Sequence, residues 1–122
     1  MISPLTPLQW HVYVVDLEPR IGTKPGKRRP CLAIQPSPFA QAGLQSTVVI
    51  PLTTKIIKKV EEAYPLRIRI PQSCCNLEQE SDLLIDQILA WDNSLFREDL
   101  GKIPEALQQK VKEALVDFLD LS

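Results

Sequence analysis

Apolar residues along this chain fall into short runs of strand character, broken by Gly- and Pro-marked segments, and then into one helical repeat near its C-terminal end. Residues 11–17, His-Val-Tyr-Val-Val-Asp-Leu, are β-branched and aromatic and predict a first strand, ended by Glu18-Pro19. Cys31 to Gln35 is a short apolar run that predicts a strand returning antiparallel to the first; Pro36 and Pro38 stop it, and a loop is predicted as far as Gln45. Ser46 to Leu52 predicts another strand, in which Pro51 marks an end, an edge or a bulge. Thr53 to Tyr64 is polar and lysine-rich and reads as a loop or a short helix. Leu66-Arg-Ile-Arg-Ile70 alternates strictly, so Leu66, Ile68 and Ile70 are expected inside and Arg67 and Arg69 outside. Leu83 to Leu89 predicts a further strand interrupted by Asp86 and Gln87, and Asp92-Asn93-Ser94 a helical turn. Pro104 suits the first position of a helix, and Leu107, Val111, Leu115 and Phe118 or Leu119 then recur at helical spacing. Short strands, loops and one terminal helix predict a mainly β fold with helices: a small, strongly bent β-barrel capped by a C-terminal α-helix.

Composition changes this picture little, and charge changes it more. With 122 residues, 44% of them hydrophobic, one globular domain over 1–122 is expected, long enough for a real core. The net charge of −1 conceals an asymmetry: residues 1–70 hold 10 Lys/Arg against 4 Asp/Glu, a balance of +6, and residues 71–122 hold 4 against 11, a balance of −7. A basic face is therefore compatible with an acidic chain. The basic half is concentrated in Arg20 to Pro30, which carries Arg20, Lys24, Lys27, Arg28 and Arg29 among two glycines and two prolines. Gly and Pro make this stretch a predicted loop, and clustered cations beside a rigid sheet suit a polyanion.

Other chemistry is sparse. No run of about 18 apolar residues exists to span a membrane. The first residues have neither a basic start nor an apolar core of signal length. Cys31 and the adjacent Cys74-Cys75 form no disulfide framework and no zinc pattern, so a reduced, cytoplasmic protein without metal or cofactor is expected. His11, the lone imidazole, is read as a partly exposed structural residue at a strand start, and Trp10 and Trp91 as core or dimer-contact residues.

The order of motifs carries the sharper reading. Val-Tyr-Val-Val-Asp-Leu-Glu-Pro runs into Ile-Gly-Thr and Gly-Lys-Arg-Arg-Pro; then come Ser-Thr-Val-Val-Ile-Pro-Leu-Thr-Thr-Lys-Ile, Pro-Leu-Arg-Ile-Arg-Ile, Ser-Asp-Leu-Leu-Ile-Asp-Gln-Ile-Leu-Ala-Trp-Asp and a Gly-Lys-Ile-Pro-Glu helix start. From about Val12 onward this collinear series resembles the MazF/PemK/Kid toxins of bacterial type II toxin–antitoxin systems. The resemblance implies an SH3-like barrel that forms a homodimer, cleaves single-stranded RNA at short preferred sequences without a metal, and is neutralised by a cognate antitoxin. By position it assigns Arg29 and Thr53 to the two main catalytic places. Thr54, Lys55, Gln87 and the loop cations Arg20, Lys24, Lys27 and Arg28 would lie around the RNA groove. Two departures are visible: Trp10-His11 stands where the family commonly has Gly-Asp or Gly-Glu, and Pro36-Ser37 where Asn-Asp often follows Gln.

The chemistry agrees with the assignment in part. Metal-free RNA cleavage uses the neighbouring 2′-hydroxyl as nucleophile and needs a base, positive charge on the phosphorane and an acid for the leaving oxygen. A guanidinium matches two phosphate oxygens and stays charged, which suits Arg29 to the second task and makes it a poor proton donor at neutral pH. The Thr53 hydroxyl can donate to a phosphate oxygen, and the base is unassigned. Without the family, Thr53-Thr54 reads as a turn pair bonding its own backbone, Gln87 as a residue satisfying buried backbone groups, and Asp86 as a solvated residue or one that orients a cation. Two other functions compete: a non-enzymatic inhibitor of a protein target, like the CcdB gyrase poisons, and a degenerate homologue that binds RNA or antitoxin without cutting.

Overall fold

The computed structural model describes residues 5–18 and 27–121. Seven strands form among the described residues: β1 (His11–Glu18), β2 (Lys27–Ala33), β3 (Ser46–Thr53), β4 (Arg67–Ile70), β5 (Ser81–Leu84), β6 (Leu89–Asp92) and β7 (Phe96–Lys102), the last in a stretch where the sequence reading expects no strand. Helix α1 (Ser37–Gln41) is short, and α2 (Glu105–Leu119) is the predicted C-terminal helix, with Pro104 capping it one residue before its start. The strand order is β4-β5-β3-β2-β1-β7, with β6 also on β3, and every pairing is antiparallel. The architecture is thus an antiparallel sheet with a terminal helix against it. Among the described residues no ladder joins β4 to β7, so the sheet is not closed.

Alternation along the strands divides the core in two. Val12, Leu32, Ile50, Leu52, Ile68, Ile70 and Leu83 face one side, where Val111 and Ala114 of α2 cover them. Tyr13, Val15, Cys31, Ala33, Val49 and Phe96 face the other, edged by Leu17, Leu89, Leu95 and Trp91. Neighbouring residues of β1, β2 and β3 are therefore buried on opposite faces, which is why these strands read as nearly continuous apolar runs. Trp10 is buried in the first cluster, as its reading as a core residue anticipates.

Local expectations that differ from the structure differ for identifiable reasons. Lys27 to Pro30 are not loop: they open β2, pairing with Glu18 to Val14. Pro51 lies inside β3, opposite Cys31. On the other edge of β3, Ser46 to Val49 pair with β6 and Leu52 and Thr53 with β5, so the missing N–H of Pro51 falls where the strand changes partners. The loop from Pro36 to Gln45 contains α1, and the lysine-rich segment ends in a single 3₁₀ turn, Val60–Ala63. Leu66 is 42% exposed, because β4 begins only at Arg67 and Leu66 belongs to the preceding turn. Leu83 to Leu89 is two strands: a 3₁₀ turn, Ile85–Gln87, takes the chain from β5 to β6 and puts Asp86 and Gln87 at the surface. The turn at Asn93–Leu95 forms as expected, with the Asp92 carboxylate accepting from Ser94 N at 2.9 Å and held below its ordinary value by hydrogen bonding to the Ser94 side chain first and to its backbone second.

Candidate functional site

The ends of β2 and β3 bring the basic segment to the sheet. Their ladder stops at Cys31 opposite Pro51, and two residues further along the strands lie Arg29 and Thr53. Arg29, exposed at the start of β2, lines two adjoining cavities. One, of about 360 Å³, is bounded by Pro51, Leu66, Arg67, Asp86 and Gln87. The other, of about 380 Å³, is bounded by Arg28, Thr54, Leu77, Glu78 and Glu98.

The arginines near this site are treated differently. Arg28 Nε donates to Asp16 Oδ1 at 3.0 Å, and Arg97 pairs with Asp16 Oδ2 at 3.0 Å. Arg67 and Arg69 both pair with Asp82, at 3.3 and 2.5 Å. The Arg29 side chain has no hydrogen bond or ion pair among the described residues, so its charge is free for an anion in either cavity.

Thr53 is the half-buried last residue of β3, opposite Asp82. Its Oγ1 accepts from Lys55 N at 3.1 Å, the turn bond anticipated for this pair, and the hydroxyl proton stays available to a phosphate oxygen. Thr54 is exposed in the second cavity, and Lys55 is exposed beside it. Gln87 is exposed in the first cavity and makes no hydrogen bond among the described residues, which removes the reading that it satisfies buried backbone. Lys27 is exposed at the start of β2, while Arg20 and Lys24 lie outside the described residues.

Residues outside this constellation keep structural roles. His11 lies 3.0 Å from Asp99 Oδ2 and stacks on Tyr13. Burial pushes the Cys31 thiol up to about 12, against a smaller opposing effect of Arg29. Burial, with Cys74 3.3 Å away, does the same to Cys75. Among the described residues no cluster of His, Cys, Asp and Glu could hold a metal ion.

Sequence reading passed over Asp82 and set Arg67 and Arg69 aside as outward-facing. Alternation places the two arginines on one face of β4, but only the pairing of β4 with β5 puts a buried carboxylate opposite Arg69 and within reach of Arg67.

The family model for the PemK-like, MazF-like toxin of type II toxin-antitoxin systems matches residues 8–119. The chain belongs to this family. Among its MazF relatives, Endoribonuclease MazF2 of Mycobacterium bovis is 27% identical over 110 residues, which is 90% of this chain and 94% of that protein. Endoribonuclease EndoA of Bacillus subtilis is 28% identical over 104 residues, 85% of this chain and 86% of that protein. The fold agrees with a MazE–MazF structure from Deinococcus radiodurans at a TM-score of 0.77, with 22% identity, 97% of this chain and 99% of that one covered. It agrees also with a mycobacterial endoribonuclease in complex with its cognate antitoxin, at a TM-score of 0.73 with 22% identity, 95% of this chain and 97% of that one covered. No helix among the described residues is long and apolar enough to cross a membrane.

Proposed function

We propose that this PemK/MazF-like chain is the toxin of a type II toxin–antitoxin pair: an endoribonuclease that cleaves single-stranded RNA and is neutralised by a cognate antitoxin. It acts in the cytoplasm as a homodimer of one domain spanning 1–122. The observation that carries the site is Arg29, a guanidinium without a carboxylate partner among the described residues, on the wall of two cavities beside the threonines that end β3.

In this reading the 2′-oxygen gives up its proton and attacks the adjacent phosphorus, the P–O5′ bond breaks with its electron pair going to O5′, which takes a proton from solvent, and the products are a 2′,3′-cyclic phosphate and a 5′-hydroxyl. Arg29 gathers the charge that builds on the equatorial oxygens of the phosphorane, and the Thr53 hydroxyl donates to one of them. The carboxylates that border Arg29, and so are available for the 2′ proton, are Asp86 in one cavity and Glu78 and Glu98 in the other. Thr54, Lys55 and Gln87 flank the RNA path, with Lys27, Arg28, Arg20 and Lys24 adding backbone attraction. The antitoxin is read as an acidic segment that folds over the same cations and blocks them.

The test is cleavage of a long single-stranded RNA by purified protein in EDTA, with the product ends mapped. Cuts at a recurring short sequence that leave cyclic phosphate and 5′-hydroxyl ends are the expected result. Intact RNA with folded, antitoxin-free protein would overturn it.

A further inference from the structure

Three side chains from β4 and β5 tie the segment that follows Thr53 to the sheet. Between the end of β3 and the turn at Val60, Ile56 N bonds Thr54 O at 3.0 Å and Lys55 N bonds Thr53 Oγ1 at 3.1 Å. The other anchors are a buried carboxylate and two arginines. Asp82 Oδ2 accepts from Ile57 N at 3.1 Å, and Arg67 Nη1 donates to Lys55 O at 3.0 Å. Arg69 Nη2 donates to Ile57 O. Asp82 completes the clasp by accepting from Arg69 Nε through Oδ1 and from Arg67 Nη1 through Oδ2.

Asp82 is 0% exposed and lies between Thr53 on β3 and Arg69 on β4 in the ladders. It cannot reach RNA. Glu80, 3.4 Å from Arg69, brings the cluster of two arginines to two carboxylates. A buried ionic cluster of this kind adds little to stability compared with well-packed apolar residues. What it adds here is direction, because three of its bonds end on the backbone of Lys55 and Ile57.

We infer that Asp82, acting through Arg67 and Arg69, is a positioning residue for RNA cleavage: it fixes the backbone that presents Thr53, Thr54 and Lys55 beside Arg29. The inference rests on those residues forming the site.

Two variants test it in the full chain. Asp82→Asn keeps the shape and loses the charge. Arg69→Lys keeps the charge and loses the fork, and Arg69 lines neither cavity beside Arg29. Amide hydrogen exchange and steady-state cleavage of a short single-stranded RNA are measured on both variants and on the parent. Exchange at 54–57 is expected to rise by about tenfold or more in each variant, with the β1 amides unchanged. The turnover number is expected to fall by on the order of tenfold or more, with KM within about threefold of the parent's, since misplacing a site by a fraction of an ångström affects chemistry before binding. Unchanged exchange at 54–57, or faster exchange with parental turnover, overturns the inference. If Asp82→Asn does not fold, Arg69→Lys decides alone. A parent chain that cuts no RNA overturns the nuclease reading and with it the catalytic purpose of the clasp, and exchange then decides whether Asp82 holds the segment.

Discussion

Strands β2 and β4 each carry two arginines near the candidate site and handle them in different ways. On β4, Arg67 and Arg69 spend their donors on Asp82, Lys55 O and Ile57 O, so their charge builds the wall. On β2, Arg28 is engaged by Asp16, and Arg29 has no carboxylate partner among the described residues. A guanidinium that must meet a dianionic transition state is most effective when no protein carboxylate competes for it, whereas one that shapes a loop must be fully satisfied. In the proposed mechanism this difference separates the charge used on the substrate from the charge used on the protein.

The contrast breaks most sharply at Arg29. Arg29→Ala is expected to lower the turnover of RNA by about a hundredfold or more with an unchanged melting temperature, since nothing in the fold depends on its side chain. Parental turnover would remove it from the site. Thr53→Ala is expected to follow closely, at about a hundredfold, because it removes the donor and also the acceptor for Lys55 N. The reverse pattern belongs to β4: Asp82→Ala strands two arginines and is expected to cost about 3 kcal/mol in chemical denaturation. Smaller is Arg28→Ala, whose exposed pair with Asp16 contributes about 0–1 kcal/mol. There the salt slope of RNA binding should lessen by about 1 if Arg28 meets a phosphate. Least affected is His11→Gln, with turnover within about twofold of the parent's, as neither His11 nor its partner Asp99 lines either cavity.

Most of the frame is legible in the sequence. The β-branched runs at 11–17 and 46–52 became β1 and β3, and the repeat of Leu107, Val111 and Leu115 became α2, because burial and periodicity act within a few residues of chain. Arg29 and Thr53 were reached by motif order, and the structure sets them near the ends of adjoining strands. Gln87 was harder: an apolar run with two polar residues reads as one strand until the 3₁₀ turn that splits it is seen. The clasp was not legible at all. Asp82 stands in Ser-Asp-Leu-Leu among polar and apolar neighbours alike, and nothing local marks it as buried.

What the sequence determines by itself is what short-range physics decides: which runs are strands, where the helix begins and where cations cluster. Only the tertiary structure decides which of those cations is spent. Strand register sets Asp82 opposite Thr53 and Arg69, and register depends on pairings among residues 53, 69 and 82, far apart in the chain. Once that register is set, the charges of β4 are consumed in holding a loop, and that of Arg29 has no protein partner among the described residues.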